Sequence, residues 1–553
     1  MATLDPLNLA VLKDHSRDPE KDGDLDAYEV APSSGSNVGD FDWTEAEETA
    51  IRRKIDRHTV PLRHLFALLH VSFADRGTPR VAINQFLDRA NIGNARIQGM
   101  GVELGLNTGV RFNWALSIFY IVYLLVEVPS NILLKFIGPR FYLPMLVVGF
   151  GLISMCTAFV HTFESLLGVR ALLGVFEGGA MPGMAFFLSC FYKRKELLFR
   201  VGIYVSAASL AGAFGGLLAT GLARIPRWGA ASSPIYEWRN IFFFEGLVTI
   251  IVGLLAPIWM PTDPATAYFL SERERRIAAE RLVREHNGHP ETTVEWSHFK
   301  RAVLCIHNYT CALGFFLINI TVQSISLFMP TLLADLGWTS TKAQLYSVPP
   351  YVCAVVVAIA IAYVSDKTHL RGVYLAVFSS IAVIGFAILR WHSDPNIRYM
   401  AVYFVTVGAF PGGPGFLSWA MNSKQISPNT YRTLESVCLG FLDAEWLIVL
   451  YLDSAGPAVR AVTSGYVVSL GTIGGIVATW TYMVRDAPKY HTGHEINLGG
   501  QIGVVALSCF GIAYCWWENK QRDAGKRDHR LEGLTEDQQS RLGYRHPTFR
   551  YIL

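Results

Sequence analysis

The sequence predicts an all-α membrane protein with twelve spans, arranged as two pseudo-symmetric six-helix bundles. Three observations carry this. Only 17% of the 553 residues are charged, against about 25% in a soluble protein. Apolar runs close to the ~20 residues that a span requires recur along the chain. A polar stretch, 261–301, divides those runs into six and six.

Residues 1–41 are rich in Asp, Ser and Gly without apolar periodicity and read as a disordered tail. The first six-helix bundle is assigned to 42–260. It opens with DWTEAEETAIRRKIDRHTVP, where Thr44 and Glu47 have capping-box spacing and Arg52, Arg53, Lys54 and Arg57 fall in the last turns. That order complements a helix dipole. Spans follow at 62–92, 111–134, 141–162, 165–190, 199–223 and 238–260. The middle stretch holds LSERERRIAAERLVREHNG, with Ser271 as a cap and Arg and Glu spaced to pair along a soluble helix. The second bundle, 302–519, has spans at 302–333, 344–365, 372–391, 398–421, 463–484 and 497–517. Residues 520–553 form a second polar tail. Lys193, Arg194, Lys195 and Arg200 between spans four and five, with Arg52 to Arg57, place both tails in the cytoplasm by the positive-inside bias. Six plus six is the arithmetic of a duplicated transporter with its site near mid-membrane, between the halves.

Composition excludes several other classes. Net charge is +3 and no basic patch interleaves with aromatics outside the tails, so no nucleic-acid partner is expected. The eight cysteines form no CxxC pair, so they read as packing residues, with no metal site. GxxxxGK[ST], HExxH and GxSxG are absent, which argues against an enzyme. With no nucleotide site, the energy source is an ion gradient and no cofactor is required.

Charges inside apolar runs are costly and usually serve a function. Two stretches hold them: LDRANIGNA at 87–95, with Asp88 and Arg89, and RALLGVFEGGAMPG at 170–183, with Arg170 and Glu177. Residues 170, 174 and 177 fall on one helix face. Gly174 leaves room there for the Arg170 side chain or for something bound to it. Arg170 and Glu177 are ~10 Å apart along the axis, too far for a routine pair within one helix. A carboxyl in low dielectric holds its proton more tightly and a nearby Arg loosens it, so a carboxylate moved between such environments can load and release a proton. Arginine stays charged and offers a planar fork suited to a carboxylate. These features point to H⁺ coupling and a small organic anion. A static ionic staple between helices is the alternative.

Other candidates are less specific. Gly212 and Gly216 have GxxxG spacing in span five, for close helix packing. PGGPG at 411–415 and VPP at 348–350 are expected to interrupt their helices. Asn319 and Gln323, one turn apart in span seven, are second-half candidates for touching substrate. Trp238, Arg239 and Glu245 read as an outer-face anchor of span six.

The chain resembles the major facilitator superfamily, and within it the fungal anion:cation symporters of the allantoate, nicotinate and vitamin permease type. The resemblance runs from about Phe41 to Asn519. It rests on the two charged stretches together with PSN and GPR at 129–140, SAASLAGAFGGLLATG at 206–221, WRNIFFFEG at 238–246, VPPY at 348–351, SDK at 365–367, AGPAVRAVTSG at 455–465 and DAPKYHTGHEIN at 486–497. It implies proton-coupled uptake of a small carboxylate by alternating access, in the plasma membrane; the expected partners are the anion, H⁺ and the bilayer, and the sequence leaves the oligomeric state open, with a monomer expected. Proton coupling is carried over to Asp88 and Glu177, and substrate contact to Arg170 and Arg89. A role in bracing a gate passes to Asp366, Lys367, Arg371 and Arg140; the acid of the matching first-half loop is missing. Two segments depart from the pattern, about 75–86 and 424–453. They favour the competing reading, a non-transporting receptor or inactive relative on a transporter scaffold.

Overall fold

The computed structural model describes residues 43–59, 89, 91–192, 211–230, 233–261, 263–286, 306–368, 370–421, 423–425, 457–533, 546–547 and 549–551. The expected insertion about 75–86, Asp88, and nearly all of 424–453 lie outside these residues. A short N-terminal unit, Met1–Glu45, is distinct from the body, Ala46–Leu553.

In the first half, α1 (Glu45–Thr59) is followed by a helical segment at 91–95 that ends in a π-turn, Arg96–Met100. Then come α2 (Arg111–Ile137), α3 (Pro139–Thr157), α4 (Phe163–Glu177), α5 (Ala180–Ser189), α6 (Ala211–Leu222) and α7 (Trp238–Trp259). A hairpin of β1 (Trp228–Ala230) and β2 (Ser233–Ile235) precedes α7. The middle stretch forms α8 (Glu272–His286). The second half contains α9 (Ile306–Ala334), α10 (Ser340–Thr368), α11 (Arg371–Trp391), α12 (Pro395–Ala409), α13 (Gly412–Met421), α14 (Pro457–Ala478) and α15 (His491–Asp523).

Local chemistry sets these boundaries. Gly138 (φ 81°) turns the chain between α2 and α3, and Pro139 opens the next helix. Thr162 and Ser165 form a reciprocal cap on α4. Asp394 caps α12 ahead of Pro395. Ser271 accepts from the Glu274 N–H while Glu274 accepts from the Ser271 N–H, the cap expected for α8. PGGPG does separate α12 from α13, but Val348–Pro350 does not break α10, which runs on to Thr368. Prolines are tolerated in such helices because neighbouring groups satisfy the freed carbonyls.

Among the described residues, six helices are long and apolar enough to cross a membrane: α3, α7, α9, α10, α11 and α15. Helix α2, at 27 residues, is about 40 Å long, enough to traverse a ~30 Å hydrocarbon core. Exposed Leu125, Phe136, Ile258 and Val356 belong to an apolar surface that lipid would cover. The halves repeat one packing plan. Helix α2 lies on α4 and α3 on α7; correspondingly, α10 lies on α12 and α11 on α15.

The halves meet around the start of α10 and the end of α14. Gln344 of α10 accepts from Gln98 and from Thr220 at 2.8 Å each. Ser340 donates to the Ile97 carbonyl at 2.8 Å, and Asn113 to the Thr479 carbonyl at 2.6 Å. Helices α1 and α8 are clasped by Lys54–Glu274 at 2.7 Å and Arg273–Glu47 at 3.2 Å. Partial burial pushes the Glu274 carboxyl up, but hydrogen bonds from Lys54 and Ser271 outweigh it and hold the group below the usual carboxylate range. A lowered pKa means the clasp is intact at neutral pH and loosens only as pH falls through that depressed value.

The α3–α7 contact requires a missing side chain. A Cβ at Gly246 would lie 2.5 Å from the Met155 nitrogen and 2.7 Å from the Gly151 oxygen. Gly246→Leu is therefore expected to separate these helices and lower the unfolding temperature of purified protein in detergent, at a cost of about 1–3 kcal/mol. An unchanged melting curve would contradict this packing.

Candidate functional site

The site is built where α2 and α4 approach each other. A Cβ at Gly174 would lie 2.6 Å from the Phe119 carbonyl oxygen. The space expected beside Gly174 for the Arg170 side chain is thus filled by the α2 backbone. That approach sets Glu177, at the end of α4, beside the aromatic face of α2. Glu177 is completely buried.

Arg89 enters this site from the first-span segment. Its Nε donates to Glu177 Oε2 at 2.6 Å. The guanidinium carbon lies 4.8 Å from the Tyr123 ring centroid and 5.3 Å from that of Phe119. The cation therefore has an anionic partner and two aromatic faces, which suits a desolvated arginine. Arg170 is also buried, with its guanidinium carbon 5.9 Å from the Phe242 ring centroid. Two residues beyond Arg89, Asn91 donates to Glu245 on α7. Glu245 is buried and ties the first-span segment to span six; it is not part of the outer-face anchor. That part is played by Arg239, which bonds Glu103 at 2.6 Å and the Ala158 carbonyl at 2.5 Å, while Trp238 donates to Glu103 at 2.7 Å.

Of the second-half candidates, Gln323 faces the first half and accepts from the Tyr120 hydroxyl at 2.9 Å. Asn319 does not; its amide donates to the Phe315 carbonyl one turn back, at 3.0 Å. It lies against Gly471 and Gly474 of α14. Gly212 and Gly216 meet α10, where an added Cβ would lie 3.0 Å from the Tyr351 ring and 2.7 Å from the Gln344 carbonyl oxygen. The gate candidates are away from this cluster. Arg140 donates to the Pro257 carbonyl at 3.2 Å. Arg371 is buried at the start of α11. Asp366 and Lys367 are in the last turn of α10, and their side chains are outside the described residues.

Sequence reasoning missed Tyr120, Tyr123 and Glu127. They stand at i, i+3 and i+7 on α2, within YIVYLLVE, a stretch that counts simply as an apolar span. The spacing was readable; the partner helix that gives it meaning was not.

A sequence model of the Major Facilitator Superfamily matches residues 81–430. The chain belongs to this superfamily. A transporter of Schizosaccharomyces pombe, itself uncharacterised, is 30% identical over 467 residues, covering 84% of this chain and 86% of its own. A major facilitator transporter named prlL from a fungal species is 32% identical, covering 77% and 81%. The high-affinity nicotinic acid transporter of Saccharomyces cerevisiae is 25% identical, covering 97% and 91%. Among solved structures, a bacterial homologue of the lysosomal transporter Spinster, inward-facing and unoccupied, superposes with a TM-score of 0.55 at 13% identity, covering 85% of this chain and 97% of its own. The Escherichia coli xylose transporter XylE superposes at 0.51 with 14% identity, covering 77% and 94%. The fold is that of the superfamily. The chain is a multi-pass membrane protein of the transporter type, not an enzyme, as its sequence predicts.

If Arg89 and Glu177 depend on each other, removing one should be worse than removing both. Arg89→Gln alone is expected to destabilise the protein by about 3–5 kcal/mol, the usual penalty for orphaning a buried charge. Arg89→Gln with Glu177→Gln should recover much of that. Thermal unfolding of the single and double variants checks this; additive losses would contradict the pairing.

Proposed function

We propose that this major facilitator protein carries a small organic carboxylate together with a proton by alternating access. The observation that carries the reading is the Arg89–Glu177 pair at 2.6 Å, with Glu177 fully buried and Arg89 mostly so. An incoming carboxylate and Glu177 are drawn to the same Arg89 guanidinium. An incoming anion competes with Glu177 for Arg89. A proton on Glu177 neutralises the displaced carboxylate, which would otherwise be left as an unpaired buried charge. Anion and proton therefore bind as a pair, and each favours the other. Arg170, on the same face of α4, supplies a second cation for the anion. Asp88, adjacent to Arg89, is a second carboxylate for the coupling step. Gln323, tied to Tyr120, is the polar group through which the second half would meet the cargo.

The relatives support the cargo class. The Saccharomyces cerevisiae relative is named for nicotinic acid, a small carboxylate. We place the protein in the plasma membrane, tails in the cytoplasm, working as an uptake system; the basic turns that flank the spans support that orientation.

The test is uptake of radiolabelled small carboxylates, nicotinate included, by proteoliposomes with and without an inward proton gradient. Wild type should accumulate at least one anion under the gradient. Glu177→Gln should lose accumulation by about tenfold or more, about 1.4 kcal/mol of coupling, while still exchanging labelled for unlabelled anion. Undiminished gradient-driven accumulation by Glu177→Gln would reduce Glu177 to a structural staple.

A further inference from the structure

Glu127 is a buried carboxylate that this transport scheme does not use. It lies one turn beyond Tyr123 on α2, on the aromatic face that cradles Arg89. It is 6% exposed, and its Oε2 is buried with no hydrogen-bond partner among the described residues. Arg89 is the charged group whose field reaches it. The Nε of that arginine is engaged at 2.6 Å with Glu177. Among the described residues, the titratable groups around the cluster are Arg89 from the first-span segment, Glu177 and Arg170 from α4, Tyr120 and Tyr123 from α2 itself, and Tyr142 from α3, which is hydrogen-bonded to Ser130. None of them pairs with the Glu127 carboxyl in the described arrangement. A buried carboxylate oxygen left without a partner is costly while the group is charged, and a proton on the group removes that cost.

We propose that Glu127 is a second counter-charge for Arg89, protonated while Arg89 rests on Glu177 and ionised when Arg89 turns to it. The inference deepens the transport scheme above and rests on Glu177 being the proton carrier. The step balances. The Glu177 carboxylate binds a proton and becomes a neutral acid. Its hydrogen bond from Arg89 breaks, and the arginine stays protonated throughout. The Glu127 O–H bond breaks, that proton leaves to water, and the new carboxylate accepts the Arg89 N–H. One proton is bound and one released, so the net charge of the cluster is unchanged. The Tyr123 ring, beneath the guanidinium and one turn from Glu127, is the surface over which the arginine pivots. In this scheme Arg89 has a partner in both positions, so the buried cation is never left bare between them.

Infrared difference spectroscopy of the purified full chain in detergent tests this without any substrate. A protonated buried carboxyl gives a carboxylic C=O band separate from ionised acids. Wild type at neutral pH should show such a band, Glu127→Gln should lose it, and Glu127→Asp should keep it at a shifted frequency. Glu177→Gln removes the first partner of Arg89. Glu127 should then ionise to replace it, and the band should vanish although Glu127 is still present. If Glu127→Gln does not fold, the Glu127→Asp and Glu177→Gln spectra carry the test. A band unaltered in Glu127→Gln or Glu127→Asp, or one that persists in Glu177→Gln, overturns the proposal. Failure of the transport scheme would show elsewhere, as the absence of gradient-driven anion uptake by wild type.

Discussion

A positive charge held at membrane depth has to be compensated wherever it sits, and the arrangement of this protein's first half follows from compensating Arg89. The arginine donates to a fully buried Glu177 and rests over two rings of α2. For that to happen, α2 and α4 must come close, and Gly174 lets them do so. The first-span segment must also be held in place, and the bond from Asn91 to Glu245 holds it against α7. Four elements thus converge on one ion pair. Packing alone would not demand this convergence, since lipid is as apolar as the helix faces and offers no hydrophobic force between them.

Under the proposed transport scheme, the same constraint links the pair to alternating access. The two halves are bonded around the start of α10 and the end of α14 through Gln344, Ser340 and Thr479, all short-reach polar contacts. Contacts of that kind exchange readily for water, so they hold one closed state without locking it. The pair at the centre is different. Its charges cannot separate into hydrocarbon, so opening requires a substitute partner for the arginine. In the proposed scheme a proton on Glu177 releases the arginine, and a carboxylate cargo and Glu127 are the substitute partners. Energy coupling, in this view, is the requirement that Arg89 is never unpartnered.

The fold class was legible because span length and the six-plus-six division are composition-level signals. Glu177, Arg170 and Arg89 stood out for the same reason, as charges inside apolar runs. What the sequence hid depended on neighbours. The Gly178–Gly179 pair that separates α4 from α5 is masked by the apolar length of the run 165–190, and nothing in VPP reveals that α10 continues through it. Asn319 and Gln323 look alike on a helical wheel, yet only Gln323 meets the other half, because α14 covers Asn319. Glu245 was misread as an anchor because its position near the start of span six says nothing about Asn91. Glu127 was passed over because a single acid in an apolar run is weak evidence until Arg89 is seen beside it. The second departure from the family pattern begins within β3 (Ser423–Gln425), which pairs antiparallel with β4 (Phe549–Tyr551), so the C-terminal tail is tied to the point where that segment starts.

The central claim is that the anion binds Arg89 together with a proton on Glu177. The direct measurement is proton uptake on binding, read with a pH dye in weakly buffered detergent solution while the purified protein is titrated with the carboxylate it binds. Linkage requires that an anion displacing Glu177 bring a proton with it, so about one proton should be taken up per anion at neutral pH. Glu177→Gln should bind the anion without that uptake. Anion binding by wild type with no net proton uptake, or with the same uptake in Glu177→Gln, would contradict the account.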